Sequence, residues 1–133
     1  MNGAPRDGAP LDLAVVIPTF NEVRNVPLII AKLDKALAGR AWEAIFVDDD
    51  SPDGTADVAR AIGREDRRVR VIQRIGRRGL SSACIEGMCA TAAPIVAVID
   101  GDLQHDETIL PKMLDALHND ATLDLVIGSR FVD

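Results

Sequence analysis

The chain of 133 residues has the length of one domain and can bury a single sizeable core. Its 47% hydrophobic and 27% charged residues are ordinary for a soluble globular protein. Aromatics are scarce at 3% and the formal net charge is −6, which together argue against a nucleic acid partner.

The N-terminal MNGAPRDGAP lacks the apolar run of a signal peptide and reads as a flexible leader over residues 1–11, ahead of a domain over 12–133. Leu13-Ala14-Val15-Val16-Ile17 is a continuous apolar run, as expected of a strand buried on both faces and ended by Pro18. Val26, Ile29, Ile30, Leu33 and Leu37 then recur at helical spacing until Gly39. Ala44 to Val47 is a second strand that runs straight into Asp48-Asp49-Asp50. Ser51-Pro52-Asp53-Gly54 is a turn, and Asp53 or Thr55 caps a helix carrying Val58, Ala59 and Ile62. Val69 to Ile72 is a third strand in a more exposed position. Arg64, Arg67, Arg68, Arg70, Arg74, Arg77 and Arg78 crowd this part of an otherwise acidic chain.

A basic loop from Gly76 to Gly79 precedes a small-residue helix, Leu80 to Ala92, which Pro94 ends. Cys84 and Cys89 sit on it at no zinc-ligand spacing and read as packing thiols in a reducing, cytoplasmic compartment. Ile95 to Ile99 is the most apolar strand. Asp106 caps a further helix with Leu110, Met113, Leu114 and Leu117 facing inward, and Leu123 to Ile127 is a last strand before Gly128-Ser129-Arg130. No stretch approaches the length of a membrane span. Strands alternating with helices imply a three-layer α/β/α, doubly wound fold with a mainly parallel, Rossmann-like sheet. In such sheets ligands sit outside the carboxyl ends of the strands, and the polar clusters fall at those ends.

Asp100-Gly101-Asp102 follows a buried strand. Gly101 permits a tight turn, so the two carboxylates can converge on Mg²⁺ or Mn²⁺, with Gln104 and a diphosphate completing the oxygen ligands. The alternative is a solvated turn. Three adjacent buried carboxylates would repel one another, so one of Asp48, Asp49 and Asp50 points into the site. The others face solvent or accept from the backbone of Gly54 and Thr55. Pro18 stiffens the strand exit, Asn21 or Thr19 could equally be helix caps, and Glu22 suits the first helical turn. The Arg74 to Gly79 loop either clamps an anion or is solvated, and Arg130 either binds phosphate or pairs with an aspartate. His105 and His118 read as helix-end residues.

Taken in order, V-I-P-T-F-N-E, V-D-D-D-S-P-D-G-T, G-R-R-G-L-S-S-A, I-D-G-D-L-Q-H-D and G-S-R resemble the family 2 glycosyltransferases of the GT-A fold. Within that family the likeness is to dolichol-phosphate mannosyltransferases and bacterial polyprenyl-phosphate glycosyltransferases. The resemblance implies that Pro18, Phe20, Glu22, Val47 and Asp49 line a nucleotide-sugar pocket. It assigns Asp100, Gly101, Asp102 and Gln104 to the metal and diphosphate site, and Arg130 to a phosphate contact, with Asp102 and Arg130 closest to the chemistry. Phe20 stands where tyrosine is frequent, and Gly101 replaces a usual alanine, which should be harmless. The activity implied is inverting transfer of a sugar from GDP-mannose or a UDP-sugar to a polyprenyl phosphate, at the cytoplasmic face of a membrane.

Family members continue well past residue 133, into an acceptor-facing half. This chain is therefore expected to be a nucleotide-binding portion, inactive alone and able to pair as a homodimer through uncovered apolar surface. The rival from another class is a receiver-like signalling domain with Mg²⁺ held at strand ends. There, however, the acidic pair follows the first strand, where this chain has Pro18 to Glu22.

Overall fold

The computed structural model describes residues 10–103 and 106–127. Its sheet has four parallel strands: β1 (Leu13–Thr19), β2 (Trp42–Asp48), β3 (Val69–Gln73) and β4 (Val96–Val98). Between them lie α1 (Asn25–Ala36), α2 (Thr55–Glu65) and α3 (Leu80–Cys89). A 3₁₀ turn, Glu107–Ile109, leads into α4 (Leu110–Asn119). The strand order is β3-β2-β1-β4, so the chain steps outward from β1 to β3 and then crosses back to the far side of β1. The switch point lies between β1 and β4. A receiver-type sheet instead runs β2-β1-β3, so the topology departs from that alternative.

The alternation of side chains along β1 and β2 divides the core in two. Leu13, Val15, Ile17, Trp42, Ala44 and Phe46 pack on one face with Val26, Ile29 and Leu33 of α1 and Ala59 of α2. Val16, Ile45 and Val47 pack on the other with Ala83 of α3. Both central strands are therefore apolar on both faces, which is why each reads as a continuous run. On α3, a Cβ at Gly87 would lie 2.4 Å from Val16 Cγ1, so glycine is what lets this helix press on the strand.

Four expectations are corrected. Pro18 does not end β1, which continues to Thr19 and stays in register with β2 through Thr19 opposite Asp48. Pro18 instead ends the pairing of β1 with β4. The last rung is Ile99 N–H donating to the Val16 carbonyl at 3.1 Å, and the next would need an N–H that proline lacks. Hence β4 stops at Val98, and the chain departs from the sheet at Asp100. The third helix ends at Cys89 rather than Ala92, because Thr91 turns its hydroxyl to Glu43 at 2.6 Å.

Residues 123–127 form no strand: Leu125 and Ile127 are 72% and 75% exposed. Strand-forming composition needs a paired edge and a covering layer, and neither meets this segment among the described residues. Asp106 does cap, but at the 3₁₀ turn, accepting from Thr108 N–H at 3.0 Å. Among the described residues no helix is long and apolar enough to cross a membrane.

Candidate functional site at the carboxyl rim of the sheet

The three aspartates after β2 have three different roles. Asp48 is fully buried and structural, accepting from the Thr19 hydroxyl at 2.9 Å, the Ser51 hydroxyl at 2.7 Å and Ser51 N–H at 2.9 Å. Asp50 turns outward with φ of 56° and accepts from the Gln73 amide at 2.8 Å. Asp49 is half-buried, and Arg74, which is 0% exposed, lies against it with Nε 2.8 Å from Oδ1. That contact is an ion pair by distance but is not aligned as a hydrogen bond, so Oδ1, Nε and one terminal guanidinium nitrogen (NH2) have no aligned partner among the described residues. The other Asp49 oxygen accepts from Gly79 N–H at 3.0 Å. None of the three uses the Gly54 or Thr55 backbone, contrary to the sequence-based expectation. The Thr55 N–H goes to Asp53.

The loop between β1 and α1 is held by the loop after β2. Three consecutive N–H groups, of Asn21, Glu22 and Val23, donate to Ser51 Oγ at 2.8 Å, Thr55 Oγ1 at 3.0 Å and Asp53 Oδ2 at 3.2 Å. Burial pushes the Asp53 carboxyl up. Hydrogen bonds from the Thr55 side chain and the Val23 and Thr55 backbone outweigh it and hold Asp53 below its ordinary range. In dinucleotide-binding folds such N–H groups ahead of the first helix face a pyrophosphate. Here they are already engaged.

Across the switch point, Asp100-Gly101-Asp102 packs onto this loop. Gly101 is buried and has no positive φ; the left-handed residue is Leu103, at φ 63°. Glycine instead eases a close approach: a Cβ would meet Thr19 Cγ2 at 3.0 Å, Glu22 Cγ at 3.2 Å and the Pro18 carbonyl at 3.3 Å, so an alanine there asks these neighbours to shift slightly. The Asn25 amide nitrogen donates to Glu22 Oε2 at 2.9 Å and to the Gly101 carbonyl at 2.8 Å. Burial raises the Glu22 carboxyl above its ordinary range; the Asn25 bond opposes this, and the charges of Asp102, Asp53 and Asp100 add to it.

These residues fit a hard divalent cation. The donors are all oxygens, and their mutual repulsion is what a cation would relieve. Among the described residues no three His, Cys, Asp or Glu side chains cluster closely enough to hold an ion alone. The remaining ligands would come from a diphosphate, as Mg²⁺ and Mn²⁺ commonly require. On the β1–α1 loop an open cleft of about 250 Å³ is lined by Asn21, Glu22, Val23, Arg24, Asn25 and Asp53.

Of the other expected site residues, Pro18 and Glu22 are half-buried at this rim, and Phe20 is 42% exposed beneath the Arg78 guanidinium, 5.1 Å from its ring centre. The Val47 side chain is fully buried on the α3 face. Gln104 and Arg130, with His105, lie outside the described residues. The arginine-rich stretch is largely neutralised internally, by Arg68 with Asp66 and Asp34, Arg70 with Glu43, and Arg77 with Glu86. Within the basic loop Arg74 is buried, Arg77 is paired at the surface, and Arg78 is exposed over Phe20. Cys84 is half-buried but Cys89 is exposed, so only the former packs. Asn25 was not singled out in the sequence, and Arg74 entered only as part of the loop that either clamps an anion or is solvated, not as the partner of Asp49.

The sequence matches the family described as Glycosyl transferase family 2 over residues 14–133. It is 39% identical over 122 residues to a dolichol-phosphate mannosyltransferase of Pyrococcus furiosus, covering 92% of this chain and 34% of that one. The undecaprenyl-phosphate mannosyltransferase of Micrococcus luteus is 38% identical over 120 residues, with 88% and 47% covered. This chain spans between a third and a half of the length of these relatives. A mannosyltransferase from Pyrobaculum calidifontis, solved with GDP-Man and Mn²⁺, has a TM-score of 0.66 at 22% identity, covering 86% of this chain and 34% of that one. The glucosyl-3-phosphoglycerate synthase of Mycobacterium tuberculosis, solved with Mn²⁺, UDP and glucosyl-3-phosphoglycerate, has a TM-score of 0.64 at 26% identity, covering 82% and 40%. With its GT-A-like α/β fold and a family match over nearly its whole length, the chain belongs to glycosyl transferase family 2.

Proposed function

We propose that this chain forms the donor-binding part, over residues 12–133, of an inverting transferase that moves a sugar from GDP-mannose or a UDP-sugar to a polyprenyl phosphate. The observation that carries the reading is the meeting of Glu22 with Asp100-Gly101-Asp102 at the β1/β4 switch point, where the loop N–H groups are already spent. A diphosphate approaching so acidic a rim needs its charge balanced by a cation. Asp100 and Asp102, with Gln104, would hold Mg²⁺ or Mn²⁺, and the ion would neutralise charge growing on the leaving diphosphate. Asp49, kept in place by Arg74 and Gly79, accepts from nucleotide N–H or hydroxyl groups. Arg130 contacts phosphate.

In the transfer, an acceptor phosphate oxygen bonds to the anomeric carbon as its bond to the diphosphate breaks, and the nucleoside diphosphate leaves with that electron pair. An acceptor that is already anionic needs no general base. The names of the relatives support a lipid phosphate acceptor, including the dodecaprenyl-phosphate galacturonate synthase of Rhizobium johnstonii, 34% identical over 123 residues. Catalysis at the cytoplasmic face of a membrane belongs to the same reading.

Calorimetric titration of GDP, UDP and their sugars with and without Mn²⁺ tests the donor side. Metal-dependent nucleotide binding is expected, weakened about tenfold or more by Asp102→Asn. Binding of acetyl phosphate with Mg²⁺ but of no nucleotide would overturn the reading. Transfer of labelled sugar to a polyprenyl phosphate tests the acceptor in the complete enzyme.

A further inference from the structure

We propose that Asn25 is the positioning residue of the metal-binding turn, its amide holding Asp100-Gly101-Asp102 against Glu22. This rests on the metal reading of Asp100 and Asp102 given above. Residues 25 and 101 are 76 positions apart, yet the Asn25 amide nitrogen donates to the Gly101 carbonyl at 2.8 Å and to Glu22 at 2.9 Å. An amide NH₂ has two hydrogens, and both are used. No other residue type serves as well at this point. Aspartate would face two acceptors with a third. Glutamine, one methylene longer, would carry its amide past both acceptors, which lie at 2.8 and 2.9 Å.

The bridge has a reason to exist. Glu22 shares its surroundings with the charges of Asp102, Asp53 and Asp100, and repulsion among them drives the β1–α1 loop and the turn apart. Beyond Ile99 the β1–β4 ladder does not oppose that, since Pro18 ends it. The β1–α1 loop is itself clamped on its other side by Ser51, Asp53 and Thr55. Asn25 therefore ties the Asp100-Gly101-Asp102 turn to a support that is itself clamped. Pairs of metal ligands supported in this way lose affinity when the support goes, even though no ligand has changed.

Mn²⁺ titrated into this chain with GDP or UDP, followed by calorimetry and by the EPR signal of free Mn²⁺, tests the proposal. Asn25→Ala is expected to bind Mn²⁺ about tenfold more weakly, and Asn25→Asp more weakly still, at thermal midpoints close to that of the unsubstituted chain. Unchanged Mn²⁺ affinity in both variants, beside a clear loss in Asp102→Asn, would overturn the role of Asn25 alone. Unchanged affinity in Asp102→Asn would instead remove the metal reading, and this proposal with it. If the Asn25 variants do not fold, the unsubstituted chain decides. Its Asn25 amide NMR resonances should exchange slowly and shift when Mg²⁺ and nucleotide are added, whereas signals that stay put would refute the bridge.

Discussion

Gly101 shows at the scale of one residue how a site can depend on an atom that is missing. A Cβ there meets three groups between 3.0 and 3.3 Å, two at the end of β1 and one, Glu22, on the β1–α1 loop. Gly101→Ala is therefore expected to destabilise the chain by about 1 kcal/mol in urea unfolding, the low end of overpacking costs, and to weaken Mn²⁺ binding as the turn shifts. Stability equal to the unsubstituted chain would mean that Thr19 and Glu22 give way freely. Asp53 acts by charge and hydrogen bonding rather than by packing. Its carboxyl is held below the ordinary value of 3.8, so its contribution is present above that pH and lost as pH falls through the lower folded value. Asp53→Asn should thus reduce stability near neutral pH, and the difference from the unsubstituted chain should close on acidification below that value. A gap that persists in acid would show that the clasp does not depend on the charge.

At the scale of elements, α3 is set by Gly87 as much as by its apolar residues. With Val16 Cγ1 2.4 Å from where a Cβ would stand, Gly87→Ala must push the helix off β1 or force Val16 from its rotamer. The expected cost is about 2–3 kcal/mol, measurable by denaturant unfolding. The effect would reach the site, because α3 carries Ser82, whose hydroxyl accepts from Arg74 at 2.9 Å. Arg74 in turn orients Asp49. A change under 0.5 kcal/mol would show that the helix can slide without penalty. Pro18 works on β4 in the same indirect way. Its missing N–H, not a turn, is what releases Asp100 from the sheet.

Considered as a whole molecule, the chain presents much apolar surface to solvent. Ile75, Leu80, Ile85 and Met88 lie on or beside α3, Val98 on β4, and Leu125 and Ile127 beyond α4, all exposed. Among the described residues β4 pairs only with β1, which leaves its outer edge open. Open edges and apolar patches of this kind favour association. Analytical ultracentrifugation of this chain is expected to show self-association that grows with concentration, and a monodisperse monomer across the range would contradict it.

Much of this was legible beforehand. The buried runs of β1 and β2, the stripe of α1 and the polar residues at strand ends follow from periods of 2 and 3.6, which are local properties of sequence. The segment 123–127 was misread because an apolar, β-prone run says nothing about whether a partner strand adjoins it.

By itself the sequence determined the alternation of strands and helices and the gathering of carboxylates at one rim. Tertiary structure alone decided which aspartate meets Arg74, that Asn25 reaches Gly101, and that β4 lies beside β1. Those contacts join residues far apart in the chain, and they depend on register and crossover, which no local pattern encodes.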